Sequence, residues 1–272
     1  MAQSVHAACR AVLCTGDARA KAEAALDAAA AFAAGALSVA PDAAALANWP
    51  QRPARPARPE LVAPRFVKRR SLVSEKGRIA QLHALAHIEL NAIDLAFDIV
   101  GRFADDPAVF ADAAPFAGDW IKVGGEEAKH FLLLSARLQA LGASYGDLPA
   151  HDGLWKAAES TSSDLAARLV IAPMVLEARG LDVTPTMIEG LTRAGDAESA
   201  AALDVIYKDE IGHVAAGQRW FARVCAQRQI DPAVTFQSLV QTYYPGGLKG
   251  PFNTAARGAA GLASDWYAPL RV

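Results

Sequence analysis

The sequence predicts an all-α protein built around a four-helix bundle with one long crossover connection. Hydrophobic residues make up 53% of the 272 residues, and many of them are alanine, which favours helix more than any other residue. Four long stretches repeat apolar residues at alternating spacings of three and four, the period of one helix face. The connection between the second and third stretches is the longest, as a crossover requires. Extra helices at both ends and an extended arm rich in proline and arginine complete the prediction.

Residues 1–49 are predicted to form a helical extension ahead of the bundle. The alanine-rich stretch from Asp17 to Gly35 favours one helix, which the glycine ends. Such a helix serves either packing against the bundle or contact with a second copy of the chain. The sequence is therefore compatible with a homodimer.

Residues 50–73 are predicted to form an arm, because prolines recur through them and exclude a continuous helix. Basic residues alternate with the prolines and continue to Lys68, Arg69 and Arg70. A basic extended arm can bind phosphate or RNA. Wrapping around its own domain or a neighbouring subunit is the commoner role of such a segment.

The bundle is predicted over residues 74–230, with Ser74 and Glu75 opening its first helix. A turn-rich crossover over 142–159 joins its second and third helices. The four long helices are expected at about 74–104, from a start or bend at Pro115 to an end at Gly142, at about 160–179, and at about 196–228.

The third helix is predicted to be irregular. Pro173 lies one turn before Glu177 and is expected to bend the helix or to free a carbonyl there. Gly180 is expected to end this helix, and a short helix over about 185–194 follows. Residues 231–272 are predicted to form a C-terminal extension of loops and short helices that lies on the bundle.

Six metal-ligating side chains interrupt the apolar stripes of the four long helices. A lone carboxylate in such a buried seam is costly, and residues three apart on a helix share one face. Glutamates and Glu-x-x-His units alternate in the ligand order of the dinuclear metal site of ferritin-like four-helix bundles. The order along the chain is Glu89, Glu127-x-x-His130, Glu177 and Glu210-x-x-His213. The alternative is a set of scattered acids in an alanine-rich helical protein.

The type of ligand indicates the metal. Four carboxylates in a dry core need a counter-charge, which two divalent ions supply. Carboxylates with a few imidazoles suit iron or manganese better than metals that prefer soft ligands. We therefore predict two iron ions, with manganese as the alternative and with other divalent metals able to substitute in purified protein.

Polar residues next to the ligands are predicted to support them. Metal-bound imidazoles usually donate their second N–H to an acidic or carbonyl group. We expect Asp209 to orient His130 and Glu126 to orient His213, the alternative being two solvated acids. Tyr207 could hydrogen-bond a ligand, relay an electron or pack in the core. The weaker candidates, expected to be buried or outer histidines, are His83, His87 and His151.

Composition bounds the location and partners of the protein. A formal charge of −2 gives no global field for nucleic acid or membrane. Three cysteines without a clustered zinc pattern favour a reduced, cytoplasmic protein. The sequence shows neither a signal peptide nor an apolar run long enough to span a membrane.

Five runs of the chain resemble the bacterial ferritin-like family called domain of unknown function 455, over about residues 50–270. This resemblance implies the ferritin-like fold and makes the six side chains named above the presumed metal ligands. A more distant likeness, in the ligand pattern alone, is to the di-iron hydroxylase that acts on modified tRNA adenosines. The runs are His87-Ile-Glu-Leu, Glu126-Glu-Ala-Lys-His-Phe131, Tyr145-Gly-Asp-Leu-Pro-Ala-His151, Leu176-Glu-Ala-Arg-Gly-Leu-Asp182 and Asp209-Glu-Ile-Gly-His-Val-Ala-Ala-Gly217.

The first functional hypothesis is a di-iron oxidoreductase that uses dioxygen or peroxide to oxidise a small organic substrate. It needs an external electron donor, and the 142–159 loop would act as its lid. In this hypothesis Glu127 and Glu210 bridge the metals, and the other ligands are terminal. The alternative is iron binding with ferroxidase or peroxide-scavenging activity and no organic substrate. A further alternative is an RNA-directed hydroxylase that uses the basic arm.

Overall fold

The structure is a computed structural model that describes residues 3–66 and 71–272. Those residues contain helices and isolated β-bridges but no strand, which confirms the all-α prediction. Of the helices in this part of the chain, none is long and apolar enough to cross a membrane.

The N-terminal extension contains three helices, of which the first two pack on the first half of the bundle and the third packs on the first. The second of them confirms the predicted alanine-rich helix: Asp17 caps it by accepting from the Ala20 N–H, and Gly35 ends it at a φ of +68°. The first and the third of them were not predicted. The three are α1 (Val5–Cys14), α2 (Ala18–Ala33) and α3 (Ala43–Ala47).

Four long helical segments surround the centre of the molecule, and short helices connect them. The predicted starts at Ser74 and Asp196 are confirmed, since each side chain caps its helix by accepting a backbone N–H at 3.1 Å. The four long segments are α4 (Glu75–Arg102), α6 (Ala113–Ala140), the continuous run of α8 (Leu165–Ile171), a π-helical segment (Ala172–Glu177) and α9 (Ala178–Arg193), and α10 (Ala197–Arg228). The short connecting helices are α5 (Pro107–Phe110) and α7 (Gly153–Ser160).

Helix α2 lies along α6, and α4 and α6 form the most extensive helix pair. Gly125 on α6 permits the close approach of α2, because a Cβ at this position would lie 2.8 Å from the Cβ of Ala29. The alanine-rich helix therefore packs within its own chain, which is one of the two roles expected for it. A homodimer stays a prediction.

The predicted end of the third helix at Gly180 is wrong. Gly180 keeps helical backbone, and the helix continues through Pro185 to Arg193 as α9. A proline removes the N–H that would bond the carbonyl four residues earlier, here that of Leu181. The Asn253 side-chain amide donates to this carbonyl at 3.1 Å instead. A residue distant in sequence thus replaces the missing hydrogen bond and lets the helix continue.

The predicted irregularity at Pro173 is confirmed. Residues Ala172–Glu177 form a π-helical segment, a type of local widening that is frequent at functional sites. Helix α10 approaches it closely at Gly217, where a Cβ would lie 2.5 Å from Cγ of Pro173. This packing fixes the segment that carries Glu177 against α10.

The crossover contains turns over 142–152, as predicted, but ends in the helix α7, which was not. Two buried histidines of α4 hold its turns. Nε2 of His83 accepts from the Gly146 N–H at 2.9 Å, and Nε2 of His87 donates to the carbonyl of His151 at 3.2 Å. These histidines are therefore buried structural groups, one of the roles expected for them.

The described part of the arm wraps around its own chain. The Ala54 N–H donates to the carbonyl of Leu13 at 2.8 Å, and the Arg52 guanidinium pairs with Asp152 and Glu159. RNA binding by the arm stays a prediction, and the basic residues Lys68, Arg69 and Arg70 lie outside the described residues.

The C-terminal residues lie against the second half of the bundle, with the first helix after α10 on α8 and the next on α9 and α10. The helices there are α11 (Pro232–Tyr243), α12 (Thr254–Ala259) and α13 (Ser264–Tyr267). The division of the chain at residues 49, 73 and 230 into separate regions stays a prediction.

Candidate metal centre

The structure brings all six predicted ligands together at the centre of the four long segments. Helix α4 carries one, α6 two, the π-helical segment one and α10 two. Ligand atoms that lie within 4.8 Å of one another form two groups, and Glu210 belongs to both. The first group is Glu89, Glu127, His130 and Glu210; the second is Glu177, Glu210 and His213.

Glu127 lies between the two imidazoles. Its Oε2 is 3.4 Å from Nδ1 of His130, and its Oε1 is 3.0 Å from Nδ1 of His213. Nδ1 of His130 is also 3.3 Å from Oε2 of Glu89. Both imidazoles therefore direct Nδ1 towards the carboxylates, so that this nitrogen is the one available to a metal.

The cluster is buried and leaves polar atoms unsatisfied. Glu127, His130 and His213 have no exposed surface. Buried polar atoms are normally hydrogen-bonded, and each exception needs an explanation. Five ligand atoms in the described part of the chain are buried without a hydrogen-bond partner: Oε2 of Glu89, Oε1 of Glu127, Oε2 of Glu177, Oε2 of Glu210 and Nδ1 of His213. Cations among these oxygen and nitrogen atoms would satisfy them, so the residues present fit a metal pair.

The second nitrogen of each histidine bonds an acid on the facing helix. Nε2 of His130 donates to Oδ2 of Asp209 at 3.0 Å, and Nε2 of His213 donates to Oε2 of Glu126 at 3.0 Å. Each acid directly precedes the glutamate of the opposite Glu-x-x-His unit. Both contacts agree with the sequence prediction, and they fix the rings with Nδ1 towards the cluster.

Tyr207, the third residue predicted to support the ligands, contacts the C-terminal extension. Its hydroxyl accepts a hydrogen bond from the Asn253 side-chain amide at 3.0 Å, and its ring packs on the core. Of its three expected roles, the structure shows core packing. His151 lies in the crossover, where its Nδ1 accepts from the Gly153 N–H at 3.2 Å.

Burial and mutual repulsion shift the ligand pKa values. Burial, with the nearby Glu127 charge, raises the pKa of Glu89 to about 8 and that of Glu177 to about 7. Burial would lower the pKa of His130, but the adjacent carboxylates of Glu127 and Glu89 outweigh it and raise this pKa to about 11. Without cations, the cluster therefore compensates its buried charge with bound protons, which metal binding would displace.

An apolar cavity of about 240 Å³ reaches the cluster from one side. Four of the six ligands form its inner end: Glu89, Glu127, Glu177 and Glu210. A larger cavity of about 400 Å³ is lined by α1, the loop over 38–41 and the ends of α4 and α6 instead. Small-molecule sites are typically apolar with a few convergent polar groups, so the smaller cavity is the better candidate.

Sequence analysis missed the part of this cavity that α9 forms. Gly180, Thr184 and Met187 line the cavity and continue the stripe of Glu177 at spacings of three, four and three. This signal was present in the sequence, but the helix was predicted to end at Gly180. Arg179 and Tyr244, at the outer part of the cavity, had no signal of their own.

Comparison with known proteins agrees with the resemblance. The sequence profile of the family described as "Protein of unknown function (DUF455)" matches residues 14–268. A Haemophilus influenzae relative named "Uncharacterized protein" is 42% identical over 212 residues, which cover 76% of this chain and 74% of the relative. No solved structure matches the chain significantly.

Proposed function

This chain belongs to the family of proteins of unknown function DUF455, and from its buried cluster we propose that it is a ferritin-like dinuclear metal oxidoreductase. The proposal is supported by six carboxylate and imidazole side chains that converge from four helical segments in the ferritin-like order. We further propose a cytoplasmic location, on the grounds of composition given above.

The positions of the carboxylates support two metal ions with shared ligands. Glu210 belongs to both groups of ligand atoms, and Glu127 contacts both imidazoles. These two glutamates would bridge the metals. Glu89 and His130 would complete one metal site, and Glu177 and His213 the other. Oxygen and imidazole ligands favour iron, with manganese as the alternative.

The proposed activity is oxidation of a small organic molecule. A bound, reduced iron pair supplies two-electron chemistry with dioxygen or peroxide. Hydroxylation of a C–H bond by dioxygen takes up two electrons from an external donor and two protons, and it yields one water. The surrounding residues keep the ligands oriented through Asp209 and Glu126, and mostly apolar side chains line the cavity next to the ligands.

The cavity is the observation that favours substrate oxidation over iron handling alone. An apolar cavity that ends at the glutamates of the cluster suits an organic molecule that must approach the metals. An iron-handling protein needs a polar entry path for hydrated iron.

A titration with Fe(II) in the presence of dioxygen separates the two functions. An oxidoreductase with a resident iron pair stops consuming dioxygen once about two irons per chain are oxidised, and an added electron donor restores consumption. Continued oxidation of excess Fe(II), with accumulation of ferric product on the protein, would favour iron handling and overturn the proposal.

A further inference from the structure

We propose that the cavity beside the cluster binds a small organic acid, with its apolar body next to the metals and its anionic group at Arg179. This inference rests on the proposed function, since it names the substrate class of the same site. The evidence for this inference is the shape of the cavity, its lining and the distribution of charge along it.

The mouth of the cavity is marked by its most exposed lining residues. Ile88 on α4 and Tyr244 after α11 are 40% and 36% exposed, respectively, and the Arg179 side chain is 42% exposed. At the other end, three of the four glutamates are at least nine-tenths buried, and Glu177 is half-buried. The cavity therefore leads from solvent to the cluster.

The middle of the cavity is apolar. Water in such a space lacks hydrogen-bond partners, whereas a hydrocarbon is stabilised in proportion to the apolar surface that it buries there. The side chains there come from α4, the π-helical segment, α9 and α10: Leu85, Ala92, Leu176, Val183, Leu203 and Ile206. This lining selects an apolar body.

The volume limits the size of the ligand. The cavity volume is about 240 Å³. This is close to the lower end of the volumes of small-molecule sites. A compact ring or a short chain fits, and a large lipid or a macromolecule does not enter as a whole.

Arg179 supplies a positive charge at the mouth. One of its guanidinium nitrogens donates to the carbonyl of Lys249 at 2.7 Å and lies 3.6 Å from the carboxylate of Asp182. That carboxylate already accepts two hydrogen bonds from Arg257, at 2.9 and 2.8 Å, and one from the Asn253 N–H. Because Arg257 compensates Asp182, the charge of Arg179 is available to an anion, and a guanidinium pairs well with a carboxylate.

The matched probes are cyclohexanecarboxylate, its amide and acetate. Their binding is measured by ligand-observed NMR titration of the full-length, metal-loaded protein, with the metal content determined in the same sample. We expect the acid to bind about tenfold more tightly than the amide, the effect of one charge-assisted hydrogen bond. Acetate should bind more weakly than either, because it lacks the apolar body.

Two variants locate the bound probe. Gly180 lines the cavity, and a Cβ at this position would have open space around it, with no other described atom within 4 Å. The Gly180→Leu side chain should therefore fill the cavity, and both ring compounds should lose binding. In Arg179→Gln the acid should lose its tenfold advantage while the amide is unaffected. The controls are Gly258→Leu, at an exposed position of α12, and Arg193→Gln, at the exposed end of α9; both should bind like the wild type.

Equal affinities for acid and amide, acetate as tight as the ring acid, or unchanged binding in Gly180→Leu would each overturn the inference. If Gly180→Leu fails to fold, Arg179→Gln, at a half-buried position with a partly exposed side chain, still decides it. Metal content separates this inference from the proposed function. Probe binding with the expected pattern in protein that retains no stoichiometric metal would support the cavity assignment and reject the dinuclear metal centre.

Discussion

Nε2 of His130 donates a 3.0 Å hydrogen bond to Asp209 on the facing helix, and this leaves Nδ1 directed at the buried carboxylates. Asp209 is itself held by Lys129, whose ammonium donates to it at 2.7 Å. The orientation of the imidazole is therefore set from outside the cluster. The same arrangement recurs at His213 with Glu126 and Lys122.

The first prediction concerns this support. Asp209→Asn should lower the metal affinity about 10- to 100-fold, the usual effect of removing the partner of a metal-bound imidazole. Competition with a chelator measures the affinity. Asp204→Asn, on the exposed face of the same helix and paired with Lys208, is the control and should behave like the wild type. Equal affinities in the two variants would show that Asp209 does not support the metal.

The second prediction concerns the contact between α10 and the π-helical segment. Gly217→Ala should destabilise the protein by about 1–3 kcal/mol, because the new Cβ would lie 2.5 Å from the rigid ring of Pro173. Urea unfolding measures the change. Gly212→Ala, on the same helix, meets no other described atom within 4 Å and should stabilise by up to about 1 kcal/mol through helix propensity. The same sign for both variants would contradict the packing described.

The third prediction concerns the continuous helix through Pro185. Asn253→Ser keeps a capping oxygen for α12 but removes the amide that bonds the Leu181 carbonyl. We expect a loss of about 1–3 kcal/mol, the cost of an unsatisfied buried acceptor. The double-mutant cycle with Pro185→Ala is the sharper measurement. In the Pro185→Ala background the restored N–H bonds this carbonyl, so Asn253→Ser should cost less there, and equal costs would refute the assignment.

The fourth prediction concerns acid stability. Burial would raise the pKa of Asp98, but the guanidinium groups of Arg168 and Arg102 outweigh it and hold this pKa below its ordinary value. A lowered carboxyl pKa gives stability that is fully present above the unfolded pKa of about 3.9 and is lost as pH falls through the folded pKa.

Asp98→Asn tests this directly, because it leaves the buried Arg168 without its ionic partner. It should cost about 3–5 kcal/mol near neutral pH. The difference in unfolding free energy between wild type and variant should stay constant down to about pH 4 and narrow below it. A difference that widens as the pH falls would contradict the proposed linkage. Chemical unfolding at a series of pH values provides the measurement.

The sequence predicted the long helices and the approach of the six ligands to one another because both depend on local periodicity. A glutamate such as Glu89 in the centre of an apolar stripe must face the same core as the apolar residues around it. The Glu-x-x-His spacing then fixes which side chains share a face. The contacts of Asp209 and Glu126 followed from the same register, one residue away from each ligand.

The missed features depend on contacts between distant parts of the chain. Gly180 and Pro185 are local signals for a helix end, and the hydrogen bond from Asn253 that overrides them comes from the C-terminal extension. Because the helix was predicted to stop at Gly180, the cavity wall at Thr184 was missed as well. The charge of Arg179 is available to an anion only because Arg257, from the C-terminal extension, compensates Asp182.

The most direct test of the central claim is the metal content of protein loaded with Fe(II) under anaerobic conditions and freed of loosely bound iron. The account predicts about two iron ions per chain in the wild type. Glu127→Ala and Glu210→Ala should each lose most of both ions, since these residues contact both halves of the cluster. Glu189→Ala, at an exposed position of α9, should retain both. No stoichiometric metal in the wild type, or unchanged metal content in both cluster variants, would contradict the account.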